Sequence, residues 1–444
     1  MDGDVTLVEG TTFCVCDEVG DVGPGGVQGL YVLDTRVLSA WRLRVDGRAV
    51  QPLTWFGAAP FRATFLGRAG SLLVRRDRQV GAGLREDLTL ANHSAEATFA
   101  EVTIEVDADF ADVFEVRAGA LRGRGERTVR QQEHDLVYEY RWRDRARACR
   151  VRAGAEATVL PGVTVLPGAT VLPGVLVFRA LVPARGEWSA SIGVSTGVDG
   201  EPLPPAFAPG EPVAEAAPVR RHERWLRDTP TIETADPQLR RTFERSRADL
   251  GSLRITDGGG GTAVAAGSPW YMTLFGRDSL LTAYLALPLD QALAVGTLRM
   301  LARHQGKTTD AATEEEPGKI LHELRSGIDP SRYLGGGHAY YGTVDATPLF
   351  VVLVGELSRW GVDVEEFLPH VDRALQWLQT HDGFVSYRRR TDRGLVNQGW
   401  KDSWNGVNFA DGRLARAPVA LAEVQGYAYA AYLARAERAG PRGA

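Results

Sequence analysis

The stretch DGEPLPPAFAPGEPVAEAAP, residues 199–218, separates two parts of the chain whose hydrophobic patterns differ. It is rich in proline, alanine and glutamate, a composition typical of a linker. Before it, apolar residues alternate with polar ones at a period of two, as in β-strands. After it, they recur every three or four residues, which indicates amphipathic helices. The sequence therefore predicts a multidomain β + α protein, in which a β-rich domain precedes a helical one.

Residues 1–215 are predicted to form an antiparallel β-sandwich-like domain. Segments such as TTFCVCDEV, GLYVLDTRVLSAWRLRVDG and ATFAEVTIEVDADF alternate with a period of two and are separated by Gly, Asn and Asp. The segment TVLPGVTVLPGATVLPGV (158–175) repeats VLPG every six residues. It predicts either short strands joined by Pro-Gly turns, which we favour, or a β-solenoid, for which three copies are few.

Residues 236–444 are predicted to form the helical domain, after a linker that we place at 216–235. Apolar residues recur with helical spacing in six segments: 236–253, 278–287, 290–305, 346–361, 364–381 and 417–439. Glycine-rich segments such as TDGGGGTAVAAGSPWYM and DPSRYLGGGHAYYG connect them. Long irregular connections inside a compact domain are usually functional loops, so we look for a site there.

Composition and charge exclude several classes of partner. The chain of 444 residues is 44% hydrophobic, has a net charge of -5 and carries no basic block, so no nucleic-acid partner is predicted. No apolar run reaches membrane length, and the start MDGDVTLVEG lacks a secretory signal. Cys14, Cys16 and Cys149 match no zinc spacing, so we expect no metal. Their odd number favours a reduced, cytoplasmic compartment. The glycine runs match no phosphate-binding fingerprint, and we expect no cofactor.

Four loops that precede helices combine aromatic and charged side chains. They are SPWYMTLFGRDS with Trp270, Phe275, Arg277 and Asp278; EEEPGKILHELR with Lys319 and Glu323; HAYYGTVDATP with Tyr341 and Asp345; and NQGWKDSWNG with Trp400, Lys401, Asp402 and Trp404. Two of the chain's three lysines fall in these loops, although arginine supplies its other basic residues. Aromatic faces pack on the C–H groups of sugars while polar groups bind the hydroxyls, so the loops predict a sugar site.

A structural interpretation stands beside the functional one for several of these residues. Asp278 and Asp345 each suit a helix N-cap as well as they suit a ligand contact. His322 fits a packed histidine better than a catalytic base, and TEEE (313–316) fits a solvated acidic start to a helix. One such loop is weak support for a site, but four in one helical domain favour it.

Several motifs resemble those of bacterial amylo-α-1,6-glucosidases, which are also called glycogen debranching enzymes. The motifs are GLYVLDTRVLSAWRLRVDG, GSPWYMTLFGRDS, EEEPGKILHELR, YYGTVDATPLF, GWKDSWNG and VALAEVQGYAYAAYLA. The resemblance extends over nearly the whole chain. It implies a β-rich debranching-type domain joined to an (α/α)6 barrel, of which residues 236–444 would form the first half.

The resemblance implies an inverting glycoside hydrolase that acts on α-glucans or related α-glucosides. It assigns Asp402 as the general acid that protonates the glycosidic oxygen. Arg277 and Asp278 are similar to the Arg-Asp pair with which glucoamylases hold the terminal glucose. The other residues that we place at the substrate are Trp270, Phe275, Lys319, Glu323, Tyr341, Asp345, Trp400, Lys401, Trp404, Glu423 and Gln425.

The surroundings of Asp402 lead to two further expectations. Trp400 and Trp404 are expected to shield its carboxyl from water and so keep the proton on near neutrality. Lys401 is then expected to face a sugar hydroxyl or another carboxylate. One departure from the family pattern is Asn405, where members usually carry an aspartate.

Inverting hydrolysis also needs a second carboxylate about 6.5–9.5 Å from the acid, to activate water. The chain shows about six of the twelve helices of such a barrel, so we expect this base beyond residue 444, in a complementary C-terminal half that would be a partner. Glu423 is the candidate base within the chain.

Two other functions stay open from the sequence. A non-catalytic glycan-binding protein would keep the aromatic loops and lack the base. A glycoside phosphorylase on the same barrel would replace activated water with phosphate. Hydrolysis in phosphate-free buffer separates these functions.

Overall fold

The computed structural model describes residues 3–23, 25–154, 157–160 and 174–439. Most of the VLPG repeat therefore lies outside the described residues. The chain forms two compact units: the first is Met1–Leu253 with Ser268–Met272, and the second is Arg254–Gly267 with Thr273–Ala444.

The first unit consists mainly of short antiparallel strands. In chain order they are β1 (Val5–Glu9), β2 (Thr12–Cys16), β3 (Gly29–Val32), β4 (Thr35–Leu38), β5 (Ala40–Val45), β6 (Arg48–Ala49), β7 (Gln51–Ala59), β8 (Arg62–Ala69), β9 (Leu72–Val80), β10 (Gly83–Asn92), β11 (Thr98–Asp107), β12 (Glu126–Gln132), β13 (Asp135–Trp142), β14 (Arg145–Arg152), β15 (Thr158–Leu160), β16 (Gly174–Val182), β17 (Glu187–Val198) and β18 (Glu201–Leu203). A short helix, α1 (Val113–Ala118), follows β11.

These strands form three sheets in the described part of the chain. One has the order β1-β2-β3-β4, the second β15-β16-β11-β5-β6, and the third β12-β13-β14-β17-β10-β9-β8-β7 with β18 beside β17. Adjacent strands pair antiparallel, for example β10 with β17 and β11 with β16. Short loops join most neighbours, which is the connectivity that antiparallel pairing permits.

The core of the first unit lies between the second and third sheets. Alternate residues of β11, among them Val102 and Ile104, are fully buried, as the period of two requires. Hydrogen bonds join the two sheets: for example, Trp41 Nε1 donates to Glu86 at 3.1 Å, and the Tyr138 hydroxyl donates to the Val106 carbonyl at 2.8 Å. The predicted antiparallel sandwich is confirmed.

A buried ion cluster lies within this core. Glu86 is 0% exposed and accepts from Arg76 Nε at 2.9 Å and from Arg78 Nε at 2.8 Å. Burial alone would raise the pKa of Glu86, but the two guanidinium groups hold it below its ordinary value. The carboxylate therefore stays charged, and each of the three side chains depends on the others.

The range expected to be a linker, 216–235, contains a helix, α2 (Ala217–Asp228). A second helix, α3 (Pro237–Ser252), packs against it within the first unit. Trp225 of α2 is buried, and its Nε1 donates to the Arg247 carbonyl at 2.7 Å. Helix α2 was not predicted because half of its residues are charged, so that few apolar positions mark the helical period.

The second unit is mainly helical. Its helices are α4 (Gly276–Leu285), α5 (Gln291–Arg303), α6 (Ala346–Arg359), α7 (Leu368–Gln379) and α8 (Ala422–Ala439), and its short strands are β19 (Arg254–Thr256), β20 (Thr262–Val264), β21 (Glu323–Leu324) and β22 (Ala339–Tyr340). Each of the six predicted helical segments contains a helix, from α3 to α8. Among the described residues, no helix combines the length and apolar character that crossing a membrane requires.

Helix α6 is the centre of the second unit. Most of its residues are buried, and it packs against α4, α5, α7 and α8. A Cβ on Gly355 would lie 2.4 Å from the Ala434 Cβ, so only glycine allows α6 and α8 to approach this closely. The N-terminal ends of α4 and α6 carry two of the loops predicted from the sequence to bind substrate.

We predict that Glu86→Gln lowers the unfolding free energy by about 3 kcal/mol or more, because it leaves the buried Arg78 guanidinium without its counter-charge and leaves Arg76 only Asp21, 2.6 Å away. Urea unfolding of the full chain at pH 7 measures this, with exposed Glu187→Gln on β17 as the matched control. Because the pKa of Glu86 is lowered in the fold, its contribution is present above the ordinary value of 4.5 and is lost as the pH falls through the folded pKa. Equal stability of the two variants would contradict the prediction.

Candidate functional site

Arg277 joins carboxylates from three parts of the second unit. Its Nη1 donates to Asp345 at 3.0 Å and its Nη2 to Asp402 at 3.2 Å, while Nε lies 3.9 Å from Asp278. We call these four residues the Arg277 cluster. Asp345 is buried and the Arg277 side chain nearly so, whereas the side chains of Asp278 and Asp402 are 41% and 38% exposed. The cluster therefore presents two accessible carboxylates beside a guanidinium that buried Asp345 holds in place.

Close backbone contacts place the segments of the cluster side by side. Gly276, the first residue of α4, donates its N–H to the His322 carbonyl at 2.9 Å. A Cβ at this position would lie 2.1 Å from the Leu321 carbonyl oxygen, so glycine is required. On the other side, the Val344 N–H donates to the Gln398 carbonyl at 2.9 Å, which ties the segment before α6 to the loop that carries Asp402.

The capping interpretation of Asp278 and Asp345 does not fit the structure. Phe275 occupies the N-cap position of α4, so Asp278 lies inside the first turn of the helix. Asp345 occupies the N-cap position of α6, but its side chain makes no capping hydrogen bond. It instead accepts from Arg277 and from the Thr343 hydroxyl, the latter at 2.5 Å. Neither carboxylate therefore serves to cap the start of its helix.

The electrostatics of the cluster follow from its burial and its excess of negative charge. Burial raises the pKa of Asp278; Arg277 opposes this, and Asp402 and Asp345 add to it. Burial would lower the pKa of Arg277, but Asp345, Asp278 and Asp402 together raise it above its ordinary value. Arg277 therefore stays charged, and the three carboxylates around it suit a ligand that offers hydroxyl donors.

The expectation that two indoles shield Asp402 is wrong. Trp400 and Trp404 are 60% and 68% exposed, so they do not remove the carboxyl from water. The Lys401 ammonium lies 5.1 Å from the centre of the Trp400 ring, a cation–π contact, rather than beside a carboxylate. The loop is held through buried Asn397 and Gln398 at its start, which leaves the following aromatic side chains at the surface.

Four residues predicted to contact substrate are buried and bind other protein groups. Phe275 packs edge-on against His322. Lys319 Nζ donates to the Glu314 carbonyl at 3.2 Å, and burial lowers the pKa of Lys319. Glu323 binds Arg325 at 2.8 Å, and the Tyr341 hydroxyl donates to the His304 carbonyl at 2.8 Å. These contacts stabilise the conformations of the loops.

Of the structural interpretations made from the sequence, the structure supports the one for His322 and contradicts the one for residues 313–316. His322 packs between the rings of Phe275 and Tyr340, and burial, with Arg277 and Arg325 nearby, lowers its pKa to about 3. It is therefore a neutral, packed histidine, as the structural interpretation held. The interpretation of 313–316 as a solvated start to a helix is wrong, because the segment is a loop in which Glu314 is buried.

The remaining predicted residues lie on α8 and in the first unit. Gln425 binds the backbone of Val385, with N–H and carbonyl contacts of 2.9 Å each. The Glu423 carboxylate faces the loop at Gly399, where a Cβ would lie 3.8 Å from its Oε1. Trp270 is a half-buried residue of the first unit.

Tyr427, on the same helix as Glu423, is a further candidate that was not predicted from the sequence. Burial raises the pKa of Tyr427, Asp345 and Glu423 raise it further, and Arg277 opposes them. It stands four positions after Glu423 on α8 and therefore shares a helix face with it. That spacing is the signal that would have identified it.

Residues 7–193 match the family model of the N-terminal domain of (some) glycogen debranching enzymes. This confirms the resemblance for the β-rich region. No curated protein matches the chain.

Solved structures share the fold at low sequence identity, among them the following two. A protein described as a kojibiose phosphorylase, from the human microbiome, is 7% identical with a TM-score of 0.55, over 84% of this chain and 56% of that one. A bacterial glucoamylase in complex with acarbose is 9% identical with a TM-score of 0.50, over 86% of this chain and 58% of that one. The chain thus spans less than two thirds of either protein. The predicted fold class, a β-rich domain followed by a partial (α/α)6 toroid, is confirmed.

We predict that Gly276→Ala destabilises the protein by about 1–3 kcal/mol, because the new methyl group would overlap the Leu321 carbonyl. Gly258→Ala is the control within the same unit, since a Cβ at Gly258 meets no atom within 4 Å. Thermal unfolding of both variants measures the difference. A Gly276→Ala protein as stable as the control would show that the contact between α4 and the 321–322 segment is loose.

Proposed function

We propose that this chain carries the sugar-binding and acid-bearing part of a glycoside hydrolase that acts on α-glucans or related α-glucosides. The observation that supports this most is the Arg277 cluster, in which two half-exposed carboxylates flank a fixed guanidinium. Carboxylates accept hydrogen bonds from sugar hydroxyls and the guanidinium donates them. The match of residues 7–193 to a glycogen debranching domain adds independent support.

The exposed indoles supply the apolar part of the proposed site. Trp400 and Trp404 follow the buried start of their loop, and both rings are accessible. Their exposure rules out shielding Asp402 but suits stacking on the C–H faces of glucose units. We therefore assign Arg277 and Asp278 to the hydroxyls of the terminal sugar, and the two indoles to its neighbours along the glucan.

We assign Asp402 as the general acid. Its carboxylate binds Arg277 at 3.2 Å, and this contact has to be exchanged for one with the substrate before Asp402 can carry a proton to the glycosidic oxygen. Glu423 is the candidate within the chain for activating water, because it faces the Asp402 loop at Gly399. A base supplied by a complementary C-terminal half of the barrel stays a prediction.

Asp402→Asn tests the acid assignment. We expect activity on unactivated α-glucosides to fall by a factor of about 10²–10⁴, because the leaving group loses its proton donor. Activity on α-glucosyl fluoride should fall much less, because fluoride leaves without protonation. Initial rates on both substrates measure this, with Asp411→Asn, an exposed aspartate of the same loop region, as the control. An equal loss on both substrates would remove Asp402 from the acid role.

Asp278→Asn tests the sugar-binding assignment. We expect the affinity for acarbose to fall by a factor of about 10–100, because a charged acceptor for hydroxyl donors is lost. Calorimetry on the full chain measures it. Asp290→Asn is the control, since Asp290 caps α5 by accepting from the Ala292 N–H at 2.9 Å. Unchanged affinity in Asp278→Asn would place the sugar elsewhere.

Phosphorolysis is the second candidate function, because one of the solved structures with this fold is described as a phosphorylase. The reaction products distinguish the two: a hydrolase releases free glucose in phosphate-free buffer, whereas a phosphorylase releases a sugar phosphate and only with phosphate present. Binding of acarbose with no turnover in either buffer would identify a glycan-binding protein.

A further inference from the structure

We propose that Glu314 is a positioning residue that holds the Asp402 loop in place beside the Arg277 cluster. The functional part of this proposal rests on the proposed function, but the structural part does not. Glu314 lies in the loop before β21, far in sequence from Asp402. It does not touch the reacting groups and acts through Gln398.

The Glu314 carboxylate receives hydrogen bonds from three separate segments. Its Oε2 accepts from Gln398 Nε2 at 2.6 Å. Its Oε1 accepts from the Tyr340 hydroxyl at 3.2 Å and from the Arg390 N–H at 3.3 Å. Glu314 is buried, and its φ of 57° is in the left-handed region that a residue with a side chain seldom adopts. The fold thus maintains an uncommon backbone conformation in which this carboxylate meets all three donors.

The structure also makes space for the carboxylate and fixes its backbone. A Cβ on Gly394 would lie 2.3 Å from Glu314 Oε1, so only glycine at this position leaves room for the oxygen. The Glu314 carbonyl accepts from buried Lys319 Nζ at 3.2 Å. Lys319, which the sequence analysis placed at the substrate, is therefore better explained as a support for Glu314.

Gln398 transmits the position of Glu314 to the cluster. Its side chain binds Glu314, and its carbonyl accepts from the Val344 N–H at 2.9 Å, one residue before Asp345. Gln398 is buried and stands four residues before Asp402. Its fixed amide plane thus sets where the loop leaves the interior, and so where Asp402 meets Arg277.

The pattern of donors requires an acceptor at position 314. An amide NH2, a hydroxyl and a backbone N–H converge, and a carboxylate can accept from all of them. In Glu314→Gln the oxygen can still serve Tyr340 and Arg390, but the new NH2 group would face the NH2 group of Gln398. The contact to Gln398 is therefore the one that breaks, because turning the Gln398 amide over would set its oxygen against the Leu395 carbonyl, which its NH2 group now faces at 3.5 Å.

The test compares Glu314→Gln with Glu316→Gln by hydrogen exchange of the full chain. Glu316 belongs to the same acidic run but binds Trp377 Nε1 at 2.6 Å and Arg390 Nη2 at 2.6 Å. We expect amides in 395–404 to exchange at least about tenfold faster in Glu314→Gln and at the wild-type rate in Glu316→Gln. Unchanged exchange in Glu314→Gln would overturn the proposal.

The double variant Glu314→Gln/Gln398→Glu supplies a rescue test. It exchanges donor and acceptor across the 2.6 Å contact while leaving an oxygen for Tyr340 and Arg390. We expect it to restore the slow exchange of 395–404, even where the single variant fails to fold. A double variant that is unfolded, or that exchanges as fast as the single one, would show that Glu314 has only a packing role.

Measuring the affinity for acarbose then tests whether the position of the loop affects sugar binding. We expect a loss of about tenfold in Glu314→Gln and recovery in the double variant. A wild-type chain that binds no acarbose would contradict the proposed function, while the exchange data would still decide whether Glu314 positions the loop. Altered exchange with unchanged affinity would overturn the link between the loop and the sugar site.

Discussion

The second unit depends on one arginine that forms ion pairs with carboxylates from three segments distant in sequence. Asp345 is buried and Arg277 nearly so, and their contact of 3.0 Å offsets much of the cost of removing both charges from water. Without Arg277, Asp345 would be a buried charge next to two others. The arginine thereby fixes the relative positions of α4, the start of α6 and the Asp402 loop, and leaves Asp278 and Asp402 half-exposed for a ligand.

The first unit shows the same constraint with the charges reversed. There one buried carboxylate, Glu86, is held between Arg76 and Arg78 in the sandwich core. This cluster is fully enclosed and binds only protein groups, so it contributes structure without offering a site. The comparison shows which feature makes the Arg277 cluster a candidate for binding: the incomplete burial of two of its carboxylates.

Several polar and aromatic side chains in the loops of the second unit stabilise the loops themselves. Lys319, Glu323 and Tyr341 have the residue types of a sugar site, yet each is buried and bound to another protein group. Polar loops that fold into a compact unit have to satisfy their own buried donors and acceptors. Residue type and loop position alone therefore do not distinguish a ligand contact from a residue that stabilises the loop.

The sequence alone determined the fold class, because period-two and helical spacing are local properties that the residues carry directly. It also pointed to Arg277, Asp345 and Asp402, since each stands in a segment that the sequence predicts to be a loop ahead of a helix. Only the tertiary structure decided that these three meet, because the contact joins residues 125 positions apart. It also decided that Trp400 is exposed and Lys319 buried, since burial is set by what the rest of the chain packs over a residue. Helix α2 escaped prediction for the same reason: Trp225 is buried through its contact with α3, which the local pattern does not show.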